Sequence, residues 1–162
     1  MIGNDIVDLA LAIKESNWKR KGYLDKVFTK NEQLRIIKSD NPNNMVWNLW
    51  SRKEAAYKIF NRNTGVRIYN PMQFECFDTD KSIGIVMNNG VSYYTKTEIN
   101  FDYIHTVSVL DTNDFESVKL LNRSNKIIKI DGIPFLKGIN TKLLIPISIS
   151  NHGNFEKIVS LF

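Results

Sequence analysis

The stretch NMVWNLWSRKEAAYKIFNR, residues 44–62, decides how the chain is read. It holds no Pro or Gly, is rich in helix formers, and is preceded by the breaker-rich run 39–44. Gly65 stands three residues past its end. That punctuation predicts one helix of about five turns. Trp50, Glu54 and Lys58 stand four apart, so their side chains form one stripe. Val46, Leu49, Ala56, Ile59 and Phe60 give the adjoining surface the character of a core. An acid and an amine bordered by such residues can sit at the edge of a pocket. Taken alone, the pair reads rather as an ordinary i,i+4 contact on a solvated face, worth ~0.2–0.5 kcal/mol, and only the N-terminal segment beside it changes that reading.

Working outward, residues 1–9 (MIGNDIVDL) read as a short strand in which Asp5 and Asp8 interrupt the apolar pattern. A lone carboxylate is costly to bury, so Asp5, beside Ile6-Val7, belongs at a strand end or in a site. By itself it also reads as a turn or cap residue. Residues 10–18 suit a helical turn or two, and 24–28 form a short apolar patch. Thr29 and Glu32 make a T-x-x-E capping box with Phe28 at the staple position, opening a helix to about Lys38.

Beyond Gly65 the texture turns to β, with strands expected at 72–77, 82–87, 91–98 and 103–110. Asn88-Asn89-Gly90 is a strong hairpin signal. A short helix is expected at 114–121, further apolar runs at 126–130 and 143–149, and turns at Asp131-Gly132 and Lys137-Gly138 beside Pro134. The chain closes on an apolar piece at 158–162. His105 reads as a core or sheet-face histidine. Residues 148–155 (SISNHGNF) read as a polar turn between two strands, able to offer hydroxyl and N–H donors to an anion or to serve as a plain loop. Helices followed by a run of strands imply an α+β fold, an antiparallel sheet packed by a long helix, in a single domain 1–162.

With 43% hydrophobic residues among 162, the chain can bury a sizeable core without metal or disulfide staples. The lone Cys76, the absence of a basic leader and the lack of any membrane-length apolar run point to a soluble cytoplasmic protein. The net charge of +5 allows three partners: nucleic acid, a polyphosphate cofactor or an acidic protein. The densest basic cluster, Lys19-Arg20-Lys21, is short, and no nucleic-acid-binding signature accompanies it. No Walker loop, dinucleotide fingerprint or nucleophile motif is present.

Three segments in this order resemble the 4′-phosphopantetheinyl transferase superfamily: GNDIVDL at 3–9, WSRKEAAYK at 50–58 and SISNHGNF at 148–155. FTKNE at 28–32 matches the usual start of the helix between the first two. The serine segment comes last, as in the short, holo-acyl-carrier-protein-synthase type. The resemblance implies attack of a carrier-protein serine on the β-phosphate of coenzyme A, transferring 4′-phosphopantetheine with Mg²⁺. It implies Asp5 and Glu54 as metal ligands, Lys58 as phosphate contact or base, Lys53 as a phosphate-binding lysine, and Ser150 against the coenzyme phosphates. Asn151 occupies the usual histidine slot, with His152 one residue on; Asn donates a hydrogen bond but carries no charge. Expected partners are coenzyme A and an acyl or related carrier protein, not nucleic acid or membrane. The assembly is open: short-type relatives are trimers with sites between subunits, whereas the long middle, 65–145, suits a monomer. Two rivals remain at this level, a catalytically impaired member binding coenzyme A or a carrier protein, and a basic nucleic-acid-binding domain.

Overall fold

The computed structural model describes residues 1–78, 82–138 and 143–162. The chain opens with strand β1 (Ile2–Asp8), then helices α1 (Leu9–Glu15), α2 (Tyr23–Val27), α3 (Lys30–Lys38) and α4 (Pro42–Thr64). Strands β2 (Glu75–Asp78), β3 (Ile83–Asn88), β4 (Val91–Ile99) and β5 (Tyr103–Val109) follow. The last five are β6 (Val118–Leu121), β7 (Ile127–Ile130), β8 (Ile133–Lys137), β9 (Leu144–His152) and β10 (Phe155–Leu161). They form two antiparallel sheets, ordered β1-β5-β4-β3-β2 and β6-β10-β9-β8-β7. The α+β expectation holds.

The organising helix is longer than the sequence pattern suggested. Asn41 caps it by accepting from Asn44 N at 3.0 Å, and Pro42 takes a first-turn position, where a missing N–H costs nothing. Gly65 ends it in the left-handed region, φ 71°. Val46, Leu49, Ala56 and Ile59 are fully buried, packing with Phe74, Val86 and Ile104 of the first sheet's side of the core. Burying each large aliphatic contributes roughly 1.5–3 kcal/mol.

Gly3 sets how closely α4 crosses β1. A Cβ there would collide with the Ala55 carbonyl oxygen and press on Ile59. That carbonyl belongs to helix backbone, which yields only by moving the whole of α4. Gly3→Ala is therefore expected to destabilise by ~3 kcal/mol, the upper end of overpacking, and to displace Glu54 and Lys58 from Asp5. Urea unfolding checks the first effect; an unchanged midpoint would mean the crossing is looser than described.

Several local expectations need correction. Residues 71–73 form a 3₁₀ turn, Pro71–Gln73, so β2 starts only at Glu75. The helix expected at 114–121 is instead a 3₁₀ segment, Thr112–Ser117, running into β6, whose Val118-Lys119-Leu120-Leu121 pairs with β10. Strand β8 was hidden by Pro134. It pairs with β7 through the Asp131-Gly132 turn, both residues at positive φ (51° and 82°), as a two-residue hairpin requires. The polar stretch 148–152 is not turn but the end of β9; only Gly153-Asn154 turn, with Gly153 at φ 54°.

The two sheets meet at β1. One of its edges pairs with β5. On the other, the N–H groups of Asn4, Ile6 and Asp8 donate to Ser148 Oγ (2.9 Å), Ser150 Oγ (3.0 Å) and His152 Nδ1 (2.8 Å). Alternate residues of a strand share one face, so the spacing 148, 150, 152 matches 4, 6, 8. Side chains of β9 thus replace a backbone ladder and satisfy donors that would otherwise be buried unpaired.

Candidate active site

Asp5 on β1 and Glu54 and Lys58 on α4 come together because the helix lies directly across the strand. Asp5 Oδ1 accepts from Ser150 Oγ at 3.0 Å and lies 3.9 Å from Lys58 Nζ. Asp5 Oδ2 is buried and, among the described residues, has no hydrogen-bond partner. Lys58 Nζ donates to Asn4 O (2.6 Å) and Ile149 O (3.2 Å), bridging β1 and β9.

These groups perturb one another. Burial raises the proton affinity of Asp5, against the pull of Lys58 and the Ser150 hydroxyl. Burial and then the Asp5 charge push Glu54 up to about 7, with Lys58 opposing. Burial lowers Lys58, while Asp5 and Glu54 hold it up. Two acids that burial holds back from ionising, Glu54 further so by the Asp5 charge, with one Asp5 oxygen left open, make a site that a cation would relieve. Among the described residues no group of three His, Cys, Asp or Glu could hold a metal. The donor set is two carboxylates, which suits a hard ion that keeps several waters and takes phosphate oxygens.

Two clefts flank these residues. One, of about 210 Å³, is lined by Asp5, Glu54, Trp50, Tyr23, Asn151 and His152. The other, of about 280 Å³, is lined by Lys58, Arg62, Arg123, Lys129, Ser148 and Asn151, among others. Asn151 belongs to both, and faces away from the side of β9 that carries Ser148, Ser150 and His152 toward β1.

The structure does not bring Lys53 to this site. Its ammonium is wholly buried elsewhere, donating to Glu32 Oε2 (2.7 Å), Pro71 O (2.9 Å) and Val27 O (3.1 Å). The helical period explains it: Val46, Leu49, Lys53, Ala56 and Phe60 follow 3–4 spacing, so Lys53 is on the core stripe. Glu32, the partner, is also the capping-box acid, accepting from Thr29 N (2.8 Å) and Cys76 N (2.8 Å).

Ser150 is engaged twice within the fold, accepting from Ile6 N and donating to Asp5, so it orients the carboxylate. His152 uses Nδ1 to accept from Asp8 N, which leaves Nε2 as the nitrogen facing outward, 3.8 Å from Glu15 Oε2. Asp8 in turn accepts from Leu11 N and Asn154 N, tying α1 to the last turn. Removing the ring strands a buried donor, so His152→Ala is expected to cost ~1–3 kcal/mol of stability. Calorimetric titration of coenzyme A into the same variant separates that loss from any phosphate contact through Nε2. Unchanged melting would contradict the role at Asp8.

Arg62 was not singled out in the sequence, although it continues the stripe Trp50, Glu54, Lys58 by four more residues. Arg123 and Lys129 carry no local signal; the pairing of β6 with β10 and of β7, β8 and β9 in register brings them to the cleft that Lys58 and Arg62 line.

The fold is that of a superfamily of transferases. Residues 1–108 match the family model described as the 4′-phosphopantetheinyl transferase superfamily, and the chain belongs to that superfamily. No curated protein matches it by sequence. Among solved structures, the Chronobacterium ammoiniagenes apo-ACPS structure aligns with a TM-score of 0.54 at 15% identity, over 67% of this chain and 93% of that one. The holo-[acyl-carrier-protein] synthase of Helicobacter pylori, in complex with coenzyme A, gives 0.52 at 16% identity, over 68% and 100%. That of Neisseria meningitidis gives 0.52 at 16% identity, over 68% and 97%. These likenesses concern the fold. The family match contains Asp5, Lys53, Glu54 and Lys58 and stops before β6, so Ser150, Asn151 and His152 lie outside it. Among the described residues no helix is long and apolar enough to cross a membrane.

Proposed function

We propose that the chain transfers 4′-phosphopantetheine from coenzyme A to a serine of an acyl or peptidyl carrier protein, as a holo-acyl-carrier-protein-synthase-type enzyme dependent on Mg²⁺. The observation that carries the reading is the Asp5–Glu54 pair, lining one cleft and buried beside Lys58, which itself lines the neighbouring basic cleft. The serine Oγ forms a bond to the β-phosphorus as the bond to the bridging oxygen breaks. Adenosine 3′,5′-bisphosphate leaves with that electron pair. Asp5 Oδ2 and the Glu54 carboxylate are the groups that would hold Mg²⁺, which supplies charge neutralisation at the diphosphate.

Lys58 takes the serine proton in this reading. A neutral amine still donates two hydrogens, to Asn4 O and Ile149 O, and keeps its lone pair free. Burial, which lowers its proton affinity, favours that form. Lys58→Ala is expected to lower kcat more than it raises KM. A change confined to KM would make Lys58 a phosphate clamp instead.

One observation favours the rival reading of a coenzyme- or carrier-binding module without transfer. Ser150 and the His152 Nδ1 are both engaged with β1, and Asn151 brings no charge to the cleft. Coenzyme A binding without magnesium-dependent transfer to any carrier would favour it.

A further inference from the structure

Strand β1 turns two faces to its surroundings. Gly3 and Asp5 meet α4, whereas Ile2 packs with Val109 and Val159, and Asn4 reaches toward β10. Asn4 is fully buried on that far face. An amide placed there is costly unless its polar atoms find partners.

The partners of Asn4 come from every element around β1. Its O accepts from Lys58 Nζ at 2.6 Å, and its N donates to Ser148 Oγ at 2.9 Å. Both main-chain groups of a residue in an antiparallel strand face the same edge, here the one toward β9. At Asn4 the tie to β5 is therefore made by the side chain. Nδ2 donates to Lys157 O at 3.1 Å and lies 3.3 Å from His105 Nε2. His105 is a diagonal neighbour on the same face, since Asn4 pairs with Val107 and Ile6 with His105.

The polarity of this contact is fixed by its surroundings. Lys157 O can only accept, so the amide nitrogen faces both partners and His105 Nε2 is the acceptor. Burial, then the Lys157 charge, push His105 down to about 4 against the pull of Glu98, which keeps the ring neutral and its proton on Nδ1. The amide oxygen, Asn4 Oδ1, is buried and has no partner among the described residues. A leucine of similar size would bury no such oxygen, a cost of about 1–3 kcal/mol. The amide is not the most stabilising side chain for this place, which calls for a role other than packing.

We propose that Asn4 and His105 are positioning residues for Lys58: held from the far face of β1, the Asn4 peptide keeps its carbonyl, and with it the Lys58 amine, in place beside Asp5. The proposal rests on the reading of Lys58 as the group that takes the serine proton. Neither residue touches a substrate. Lys58 Nζ lies 3.9 Å from Asp5 Oδ1, and its other acceptor, Ile149 O, is more distant, at 3.2 Å. Asn4 O is thus the closer anchor. A tilt of the peptide between Asn4 and Asp5 moves the amine and the carboxylate together, and displacements of this kind cost rate steeply.

The test compares wild type with His105→Leu, His105→Gln, Asn4→Leu and the double leucine variant, each first checked for cooperative melting. Glutamine can accept from the Asn4 amide where leucine cannot. At saturating magnesium, His105→Leu is expected to lower kcat by on the order of tenfold while KM for coenzyme A stays within about twofold. His105→Gln should recover most of that loss, and the double variant should be no slower than Asn4→Leu alone, because the two act as one unit. An unchanged kcat in His105→Leu, a loss confined to KM, or no recovery in His105→Gln would overturn the pair. Should His105→Leu fail to fold, Asn4→Leu and His105→Gln carry the same comparison. A second readout needs no transfer: acetylation of Lys58 by acetic anhydride, followed by mass spectrometry against the exposed Lys30. Lys58 should label severalfold faster in the leucine variants and near the wild-type rate in His105→Gln. If that pattern appears in a protein that transfers no pantetheine, the positioning stands and the transferase reading falls. Equal labelling in all variants would overturn the positioning whatever the activity.

Discussion

Asp5→Ala and Glu54→Ala are each expected to lower pantetheine transfer by on the order of 100-fold or more while leaving the fold intact, because each removes one of the two carboxylates that, among the described residues, line their shared cleft. Near-normal turnover at saturating magnesium in either variant would sink the assignment. The same acids make a second, opposite prediction about stability. Glu54 in the folded chain sits near 7, above its ordinary value, with burial and Asp5 as causes. Between roughly 4.5 and 7 the folded state thus binds more protons than the unfolded one, so stability falls as pH rises through that window. Glu54→Gln removes the cost of ionisation. It is expected to melt higher than wild type at pH 8 without divalent ions, although it transfers nothing. Added magnesium should raise the wild-type melting temperature and leave that of Glu54→Gln nearly unmoved. A lower melting temperature for Glu54→Gln at pH 8 would contradict the strained acid pair.

Lys53→Ala is expected to be the most damaging single change to the fold, costing about 3–5 kcal/mol by leaving Glu32 charged, buried and short of its partner. Lys53 and Glu32 are both fully inaccessible. Around their ion pair converge the end of α2 through Val27 O, the cap of α3 through Thr29 N, the start of β2 through Cys76 N, and Pro71 O. Loss of the amine frees Val27 O and Pro71 O and strips Glu32, which holds Thr29 N and Cys76 N, of its counter-charge, and Lys53→Ala is expected to loosen these segments together in urea unfolding. Lys53→Met, which fills the volume without the charge, also strands Glu32 and should fare little better. Pairing it with Glu32→Gln should recover part of the loss. A Lys53→Ala protein as stable as wild type but weak for coenzyme A would return Lys53 to the phosphates.

Those two results separate neighbours on one helix, and the sequence already contained the distinction. Glu54 and Lys58 lie on the stripe that begins at Trp50; Lys53 lies on the stripe of Val46, Leu49 and Ala56. A lysine flanked by that spacing has to find a buried acid, and Thr29-x-x-Glu32 supplied one in plain view. The capping box was legible because its geometry is local, and so were the Asn88-Asn89-Gly90 hairpin and the Gly65 stop. The second sheet was harder to read. Strands β6, β7 and β8 are short, β8 and β9 carry Pro134 and Pro146, and all gain stability from pairing across the sheet, which leaves no mark on a local window. The segment 148–152 looked like a turn since Ser, Asn and His favour turns. In the fold they are strand residues whose side chains take the place of a backbone ladder along β1. Arg62 was one step further along a stripe already drawn, whereas Arg123 and Lys129 reach the site only through tertiary pairing.

The central claim, that the Asp5–Glu54–Lys58 site transfers the pantetheine arm, is tested most directly by incubating the wild-type chain with coenzyme A bearing a labelled pantetheine and a panel of unmodified carrier proteins, with and without magnesium. The account predicts label on a carrier serine, release of adenosine 3′,5′-bisphosphate in equal amount, and loss of both when magnesium is withheld. A folded protein that binds coenzyme A yet labels no carrier in the panel at any magnesium concentration would contradict it.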